Sequence, residues 1–171
     1  MIFIDGNELR AAEIRAIAPG LTFAIEPLQS GFSTSAPEPE HKARDKVLAN
    51  PHAIDCFAEA VDLTTMDGKS LRLELDSENE NRFCKWWRET PAQMQLRVAL
   101  RRASGEIMMF SSSCGGVIAD KPFGPHLLGW DRLFVPDDFD ATLAQLCASG
   151  VVVPFRHQAY SELARALAGT T

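Results

Sequence analysis

The pattern of hydrophobic and polar positions predicts an α/β protein. An apolar stretch over residues 1–4 is followed at 8–18 by apolar positions at helical spacing, and Pro19-Gly20 ends that helix. Residues 21–28 are again apolar enough for a strand. This β–α–β order is typical of an α/β fold.

The rest of the chain continues this mixture of elements. Asp67-Gly68 is a strong hairpin signal after a predicted strand at 57–65, because Leu71, Leu73 and Leu75 then alternate with polar residues. The segment at 29–40 is rich in Ser and Pro and is either a plain connector or a lid or metal-bearing loop beside a cleft. The further predicted elements are strands at 95–100 and 106–110 around Ser104-Gly105, and helices at 41–49, from Phe83, from an Asp140 N-cap to Cys147, and through Tyr160 to Gly169.

Composition and charge narrow the possible functions. Hydrophobic residues make up 46% of the 171 positions, yet no apolar run approaches the roughly 18–20 residues of a membrane span. The net charge of −6 disfavours wrapping a nucleic acid, although it leaves room for a small nucleotide. We expect no membrane or nucleic-acid partner, and a cytoplasmic protein without a secretion signal.

The cysteines suggest reduced thiols rather than a metal or disulfide framework. Cys56, Cys84, Cys114 and Cys147 form no CxxC pair. Cys114 lies in a predicted Ser/Gly turn and is kept as an alternative nucleophile. The four carboxylates between Glu74 and Glu80 are predicted to form a solvated rim.

One block carries candidate recognition chemistry. In the segment 128–136, Trp130 can stack on a purine and Asp131 can accept a hydrogen bond from an N–H on its edge. The structural alternative is a core tryptophan beside a capping aspartate.

A series of motifs runs through nearly the whole chain in a fixed order. They are the turn Asp5-Gly6-Asn7 with Arg10 and Glu13, the tripeptide Lys85-Trp86-Trp87, the strand with Phe110, Gly116 and Ile118, the block Leu128 to Pro136, the block Thr142 to Leu146, and Arg156 with Ala159. This order resembles the inosine triphosphate pyrophosphatase family, the Ham1-like enzymes that hydrolyse non-standard purine nucleoside triphosphates.

The resemblance assigns two groups of substrate-binding residues. The residues expected to contact the phosphates are Asn7, Arg10 and Lys85. The residues expected to contact the base, termed the base group, are Trp130, Asp131 and Arg156. An arginine that donates to a 6-oxo group discriminates against a 6-amino group, so keto purines are expected to be preferred over adenine.

The chain also departs from the family pattern, and four of the departures concern expected metal-binding, catalytic or substrate-binding residues. Leu28 stands where a metal-binding Glu is expected, Ala60 where an Asp follows the retained Glu59, Gly150 where a Lys is expected, and Phe155 where a His is expected. Nearby carboxylates are candidates to replace the lost ones. The hypothesis takes Glu59 and Asp62 as catalytic residues, and Glu59 with Glu26 as ligands of Mg²⁺.

The resemblance therefore implies a single domain over residues 1–171. Its fold would be a long twisted mixed β-sheet flanked by helices, with two lobes and a central cleft, in a homodimer. The implied activity is that of a divergent, Mg²⁺-dependent pyrophosphatase acting on inosine- or xanthosine-type triphosphates. The alternative is a nucleotide-binding pseudoenzyme or interaction module on the same scaffold, because residues needed for catalysis are replaced.

Overall fold

A computed structural model describes residues 1–4, 6–28, 39–50, 54–71 and 77–169. The chain divides into two compact units. The first unit contains Met1–Ala60, Leu96–Ser112 and Pro154–Thr171, and the second contains Val61–Gln95 and Ser113–Val153. Two units agree with the prediction of two lobes, and the cleft stays a prediction.

The described residues contain a mixed sheet with flanking helices, which confirms the predicted fold class. In chain order the elements are β1 (Ile2–Ile4), α1 (Glu8–Ile17), β2 (Ala24–Glu26), α2 (Pro39–Leu48), β3 (Cys56–Thr65), α3 (Ser77–Trp87), β4 (Pro91–Arg101), β5 (Ile107–Ile118), a 3-10 helix (His126–Arg132), β6 (Phe134–Pro136), α4 (Leu143–Ala148) and α5 (Pro154–Ala168). The strands lie in the order β2-β1-β3-β4-β5-β6, with β1 parallel to β2 and β3 and with β5 antiparallel to β6.

An aromatic cluster fixes one face of the sheet in the first unit. Phe3 and Phe57 are register partners on β1 and β3, and their rings stack with centroids 4.6 Å apart. Phe23 meets both rings edge-on, at 5.9 and 5.2 Å. Gly6 leaves space for the Phe3 ring, because a Cβ at this position would overlap that ring.

The opposite face of the same strands packs against α2. Ile4, Ala58 and Ala60 form a buried cluster there with Ala43 and Val47. Successive side chains of a strand point to opposite faces. Glu59 therefore points away from α2, to the face that carries Phe57.

The hairpin and the last helix match their predictions. Thr64 and Ser70 form an antiparallel bridge around Asp67-Gly68, and Gly68 adopts a φ of 84° that favours glycine. Helix α5 buries one face that includes Tyr160 and Leu163. Three predicted features lie outside the described residues: Asp5, most of the 29–40 segment, and the strand positions after Leu71.

Several predicted boundaries were wrong. Helix α4 begins after Thr142 rather than Asp140, because Thr142 and Gln145 form a reciprocal capping box. Cys114 lies inside β5 and not in a turn. Strand β2 contains only three residues, whereas a strand over 21–28 was predicted. Helix α3 begins at Ser77 and ends at Trp87, whereas its start was predicted at Phe83.

No helix in the described segments combines the length and the apolar character that crossing a membrane requires. The four cysteines all lie in the described segments and form no disulfide with one another.

Candidate active site

Two helices and one strand bring a group of charged side chains together in the first unit. Asn7 caps α1 by accepting a hydrogen bond from the Arg10 backbone N–H at 2.9 Å. Helix α1 begins at this cap, and Arg10 lies on its buried face with a side chain that is 3% exposed. Its guanidinium donates through Nε to Glu59 at 3.0 Å and through Nη1 to Glu13.

Helix α5 completes this ionic cluster from the other side. The Tyr160 hydroxyl donates to Glu59 Oε2, and Arg156 lies between the two carboxylates. Arg156 Nη1 is 3.6 Å from Glu59, and Arg156 Nε is 3.8 Å from Glu13. Among the described residues, the ionic cluster thus brings together two arginines, two glutamates and one tyrosine, and the formal charges of these five side chains cancel.

The cations decide the protonation of Glu59. Burial alone would raise the pKa of this carboxyl group, but Arg10, Arg156 and the Tyr160 hydroxyl outweigh burial and lower the pKa to about 2. Burial, and then the adjacent Glu59 charge, raise the pKa of Tyr160 well above its usual value. At neutral pH Glu59 is therefore a carboxylate that two arginines hold, with Tyr160 as a protonated donor.

This pKa predicts a specific acid sensitivity. We expect the ionised Glu59 carboxylate to stabilise the fold by about 3 kcal/mol at pH 7, and this stabilisation should be lost as pH falls from the ordinary pKa of 4.5 towards 2. In urea unfolding, the stability difference between wild type and Glu59→Gln should be about 2 kcal/mol smaller at pH 3 than at pH 7. Glu8→Gln, at an exposed position on α1, is the control. A Glu59→Gln difference that stays constant with pH would contradict the assignment.

The predicted metal pair, Glu59 with Glu26, does not come together in the first unit. Glu26 is the register partner of Ile4, and Ile4 is the partner of Ala58. Glu26 therefore shares the face of Ala58, whereas Glu59 lies on the other face. The Glu59 oxygens already accept from Arg10 and Tyr160. No group of three His, Cys, Asp or Glu side chains suited to a metal occurs among the described residues. These residues do not fit a Mg²⁺ site.

The second unit holds two of the three predicted base-recognition residues, Trp130 and Asp131, on its 3-10 helix, whereas Arg156 lies on α5 in the first unit. A kink at Gly129, with φ 50° and ψ −121°, separates Leu128 from Trp130. Trp130 is half-buried and meets the Phe83 ring edge-on at 5.6 Å, while Asp131 is 1% exposed. Both side chains are thus packed in their unit, and contact of Asp131 with a base stays a prediction.

Two further predicted residues also lie in the second unit. Asp62 is buried on β3 and accepts hydrogen bonds from the Ser70 hydroxyl at 3.0 and 3.3 Å. Lys85 lies on α3 with an exposed side chain. The hairpin that supplies Ser70 therefore fixes the orientation of the Asp62 carboxylate.

The positions that depart from the family pattern have structural roles here. Leu28 packs against the Ala58 cluster, and Phe155 is buried with the Arg156 guanidinium 5.0 Å from its ring centroid. Gly150 follows α4 with a φ of 78°, a conformation that favours glycine. Ala60 is part of the buried cluster facing α2.

Sequence reasoning missed two parts of these sites. Tyr160 was recognised only as part of an apolar helix face, although it is the buried donor to Glu59. Glu80 was assigned to a solvated rim, but it is buried and paired with Arg132. Arg132 also donates through Nε to the Gly124 carbonyl at 3.0 Å. The Arg10–Glu13 spacing of three residues in a helix was an available signal for a local ion pair.

Comparison with solved structures shows what fold this is. A Ham1 protein from Staphylococcus aureus is 21% identical, with a TM-score of 0.69 and 99% of each chain covered. A HAM1 protein from Coxiella burnetii is 18% identical, with a TM-score of 0.61, 99% of this chain covered and 98% of that one. A nucleoside-triphosphatase, or dITP/XTP pyrophosphatase, from Mycobacterium abscessus is 20% identical, with a TM-score of 0.52 and coverage of 98% and 97%.

Sequence comparison adds a distant relative and a family match. A dITP/XTP pyrophosphatase from Halalkalibacterium halodurans is 32% identical over 60 residues, which are 35% of this chain and 31% of that protein. The match thus spans about a third of the relative's length. The model of the Ham1 family matches residues 1–166. The chain belongs to the Ham1 family.

Proposed function

We propose that this chain hydrolyses non-standard purine nucleoside triphosphates, of the inosine or xanthosine type, to the monophosphate and pyrophosphate. The observation that carries this proposal is the family match over residues 1–166. The relative from Halalkalibacterium halodurans, named a dITP/XTP pyrophosphatase, supports the choice of base. We further propose one domain over the whole chain, a homodimer and a cytoplasmic location.

Substrate binding is assigned to the two predicted groups of residues. Asn7 and Arg10 at the start of α1, together with Lys85, are proposed to contact the phosphates. A helix N-terminus favours an anion, because its first N–H groups point outward. Trp130, Asp131 and Arg156 are proposed to recognise the base. Because Arg10 and Arg156 are ion-paired with Glu13 and Glu59, a bound anion has to compete with these carboxylates.

The two proposed catalytic carboxylates suit different roles. Attack of water on phosphorus needs a base whose pKa lies near the working pH. Glu59, with a pKa of about 2, is a weak base and is better suited to position Arg10 and Arg156. Asp62 accepts from the neutral Ser70 hydroxyl instead of a guanidinium. We therefore propose Glu59 as a positioning residue and Asp62, which accepts only from the Ser70 hydroxyl among the contacts of the described residues, as the remaining candidate proton acceptor.

We propose that the enzyme requires a metal ion and that the substrate, not a metal site of the protein, supplies it. Pyrophosphatases of the Ham1 family are generally metal-dependent. Mg²⁺ keeps several waters and is held in proteins by one or two carboxylates together with substrate phosphates. Since Glu26 and Glu59 do not fit as a pair, we propose that Mg²⁺ arrives with the triphosphate, and we assign it no ligand in this chain.

The activity is tested by incubating the protein with ITP, dITP, XTP, GTP and ATP, with Mg²⁺ and with excess EDTA. Pyrophosphate is measured separately from orthophosphate. The expected result is pyrophosphate from the keto purines in Mg²⁺ and much less from ATP. Equal rates for ITP and ATP would contradict the proposed base recognition, and orthophosphate as the product would contradict the reaction.

A lysine pair tests the phosphate assignment. Lys85→Ala should lower kcat/KM for ITP about tenfold to a hundredfold, because a charge-assisted hydrogen bond to phosphate is lost. Lys121→Ala is the matched control, since Lys121 is also exposed in the second unit and lies 5.0 Å from the Phe123 ring. Equal kcat/KM values for the two variants would show that Lys85 does not bind the phosphates.

One observation favours the second candidate, a nucleotide-binding pseudoenzyme. Ala60 stands where the family pattern has an Asp, and the neighbouring Glu59 is closed into the ionic cluster. This candidate predicts nucleotide binding without any product, and an affinity that Mg²⁺ does not change. Calorimetric titration of ITP with and without Mg²⁺, beside the product assay, separates the two functions.

A further inference from the structure

A groove on the second unit lies between one face of α3 and the residues that follow the Asp67-Gly68 turn. Its volume is about 380 Å³, which falls in the range of roughly 300–1,000 Å³ typical of small-molecule sites. Lys69 and Leu71 line one side, and Arg82, Phe83, Trp86 and Trp87 line the other. The hairpin therefore forms one wall.

Aromatic surface and positive charge occur together in this groove. Trp86 is 72% exposed, an unusual position for so large an apolar side chain. The Lys69 ammonium lies 5.5 Å from the Trp87 ring centroid. Arg82 adds a second cation, and none of the described residues that line the groove is a carboxylate. On a chain of net charge −6 this is a local positive, aromatic site.

Within the second unit, none of the residues assigned to substrate lines the groove, although its lining residue Ser70 donates a hydrogen bond to Asp62. The lining positions 82, 83, 86 and 87 are neighbours on one face of α3, while Lys85 projects from another face. The groove is nevertheless linked to the base group through a packing contact. Phe83 lines the groove and also meets Trp130 at 5.6 Å. A ligand that contacts Phe83 in the groove would therefore influence the position of Trp130, a proposed base-binding residue.

We propose that this groove is a second nucleotide site that takes a nucleoside monophosphate, with the base stacked on Trp86 and the phosphate between Lys69 and Arg82. The face of an indole ring can stack on any nucleobase, and the two cations favour an anionic nucleotide over a neutral nucleoside. The choice of monophosphate rests on the proposed function, whose product has this chemistry. Binding itself does not depend on hydrolysis.

The test is calorimetric titration of the full chain with inosine monophosphate, inosine and inorganic phosphate. Inosine monophosphate should bind at least tenfold more tightly than either fragment. Trp86→Ala, and the double variant Lys69→Ala with Arg82→Ala, should each weaken this binding about tenfold or more. These side chains are exposed, so the variants should keep the wild-type melting temperature. Lys121→Ala, an exposed lysine of the second unit that does not line the groove, is the matched control and should keep the binding of inosine monophosphate within twofold.

Three results would overturn the proposal. Unchanged binding of inosine monophosphate in both groove variants would place the ligand elsewhere. Equal affinity for inosine would remove the anion selectivity, and loss of a dimer in Trp86→Ala would make the groove an interface between copies. Pyrophosphate release from ITP by Trp86→Ala is measured in parallel. If neither wild type nor variant releases pyrophosphate while groove binding persists, the proposed function fails and the groove assignment stands.

Discussion

Replacing Arg10 by methionine is expected to lower the free energy of unfolding by about 3–5 kcal/mol, as measured by urea denaturation at pH 7. Arg10 bridges Glu13 and Glu59, and its side chain is 3% exposed. Methionine retains much of the volume but removes the charge. The five side chains of the ionic cluster then include two carboxylates and one cation, Arg156, so negative charge exceeds positive charge by one within the cluster.

Two further variants make this expectation specific to buried charge. Arg15→Met removes an arginine of the same helix that is 46% exposed and ion-paired with Glu8, and it should change stability by less than about 0.5 kcal/mol. Arg10→Met combined with Glu59→Gln restores charge balance, so the double variant should be more stable than Arg10→Met alone. If Glu59→Gln worsens Arg10→Met, the carboxylates are not in excess and the charge argument is wrong.

The sequence predicted the elements of the first unit better than the partners of its charged residues. Apolar periodicity located β1, α1 and α5, because burial of one face is a local property of the chain. The meeting of α1, β3 and α5 is not local. Arg10 and Glu59 are 49 residues apart, and Tyr160 is 101 residues from Glu59. Strand order decides these encounters, and a single sequence does not display it.

Charge runs were misread for a related reason. Glu80 belongs to a run of carboxylates that is typical of a solvated surface, yet its partner Arg132 is 52 residues away. Likewise, both Asp140 and Thr142 are good N-cap residues by type. Thr142 is the cap because Gln145 reaches back to its backbone N–H. Residue type therefore restricts the candidates, and side-chain geometry selects among them.

The same contacts change how the candidate site is understood. The resemblance assigned Arg10 and Arg156 to substrate binding, which suggests guanidinium groups available to a phosphate or a base. In the first unit both are already neutralised by Glu13 and Glu59. Substrate binding at this cluster would require an exchange of partners, whereas the exposed Lys85 requires none. For this reason Lys85→Ala tests phosphate binding more cleanly than any arginine variant.

The second large effect is expected in the other unit, where Arg132→Met should also lower the free energy of unfolding by about 3–5 kcal/mol. Glu80 and Arg132 have side chains only 6% and 8% exposed, so the loss of Arg132 leaves a carboxylate buried without its cation. Arg88→Met is the control, because Arg88 and its partner Glu89 are 62% and 74% exposed, and its effect should be within about 0.5 kcal/mol.

A functional readout separates this pair from a purely structural one. Arg132 ends the 3-10 helix that carries Trp130 and Asp131, and it ties that helix to the Gly124 carbonyl. Arg132→Met with Glu80→Gln removes both charges and should recover much of the lost stability, since no unpaired carboxylate remains. It still lacks the bond to Gly124, so Trp130 should be less firmly positioned and the preference for ITP over ATP should fall at least threefold. A double variant that regains stability and keeps full selectivity would show that Arg132 supports the fold without positioning the base group.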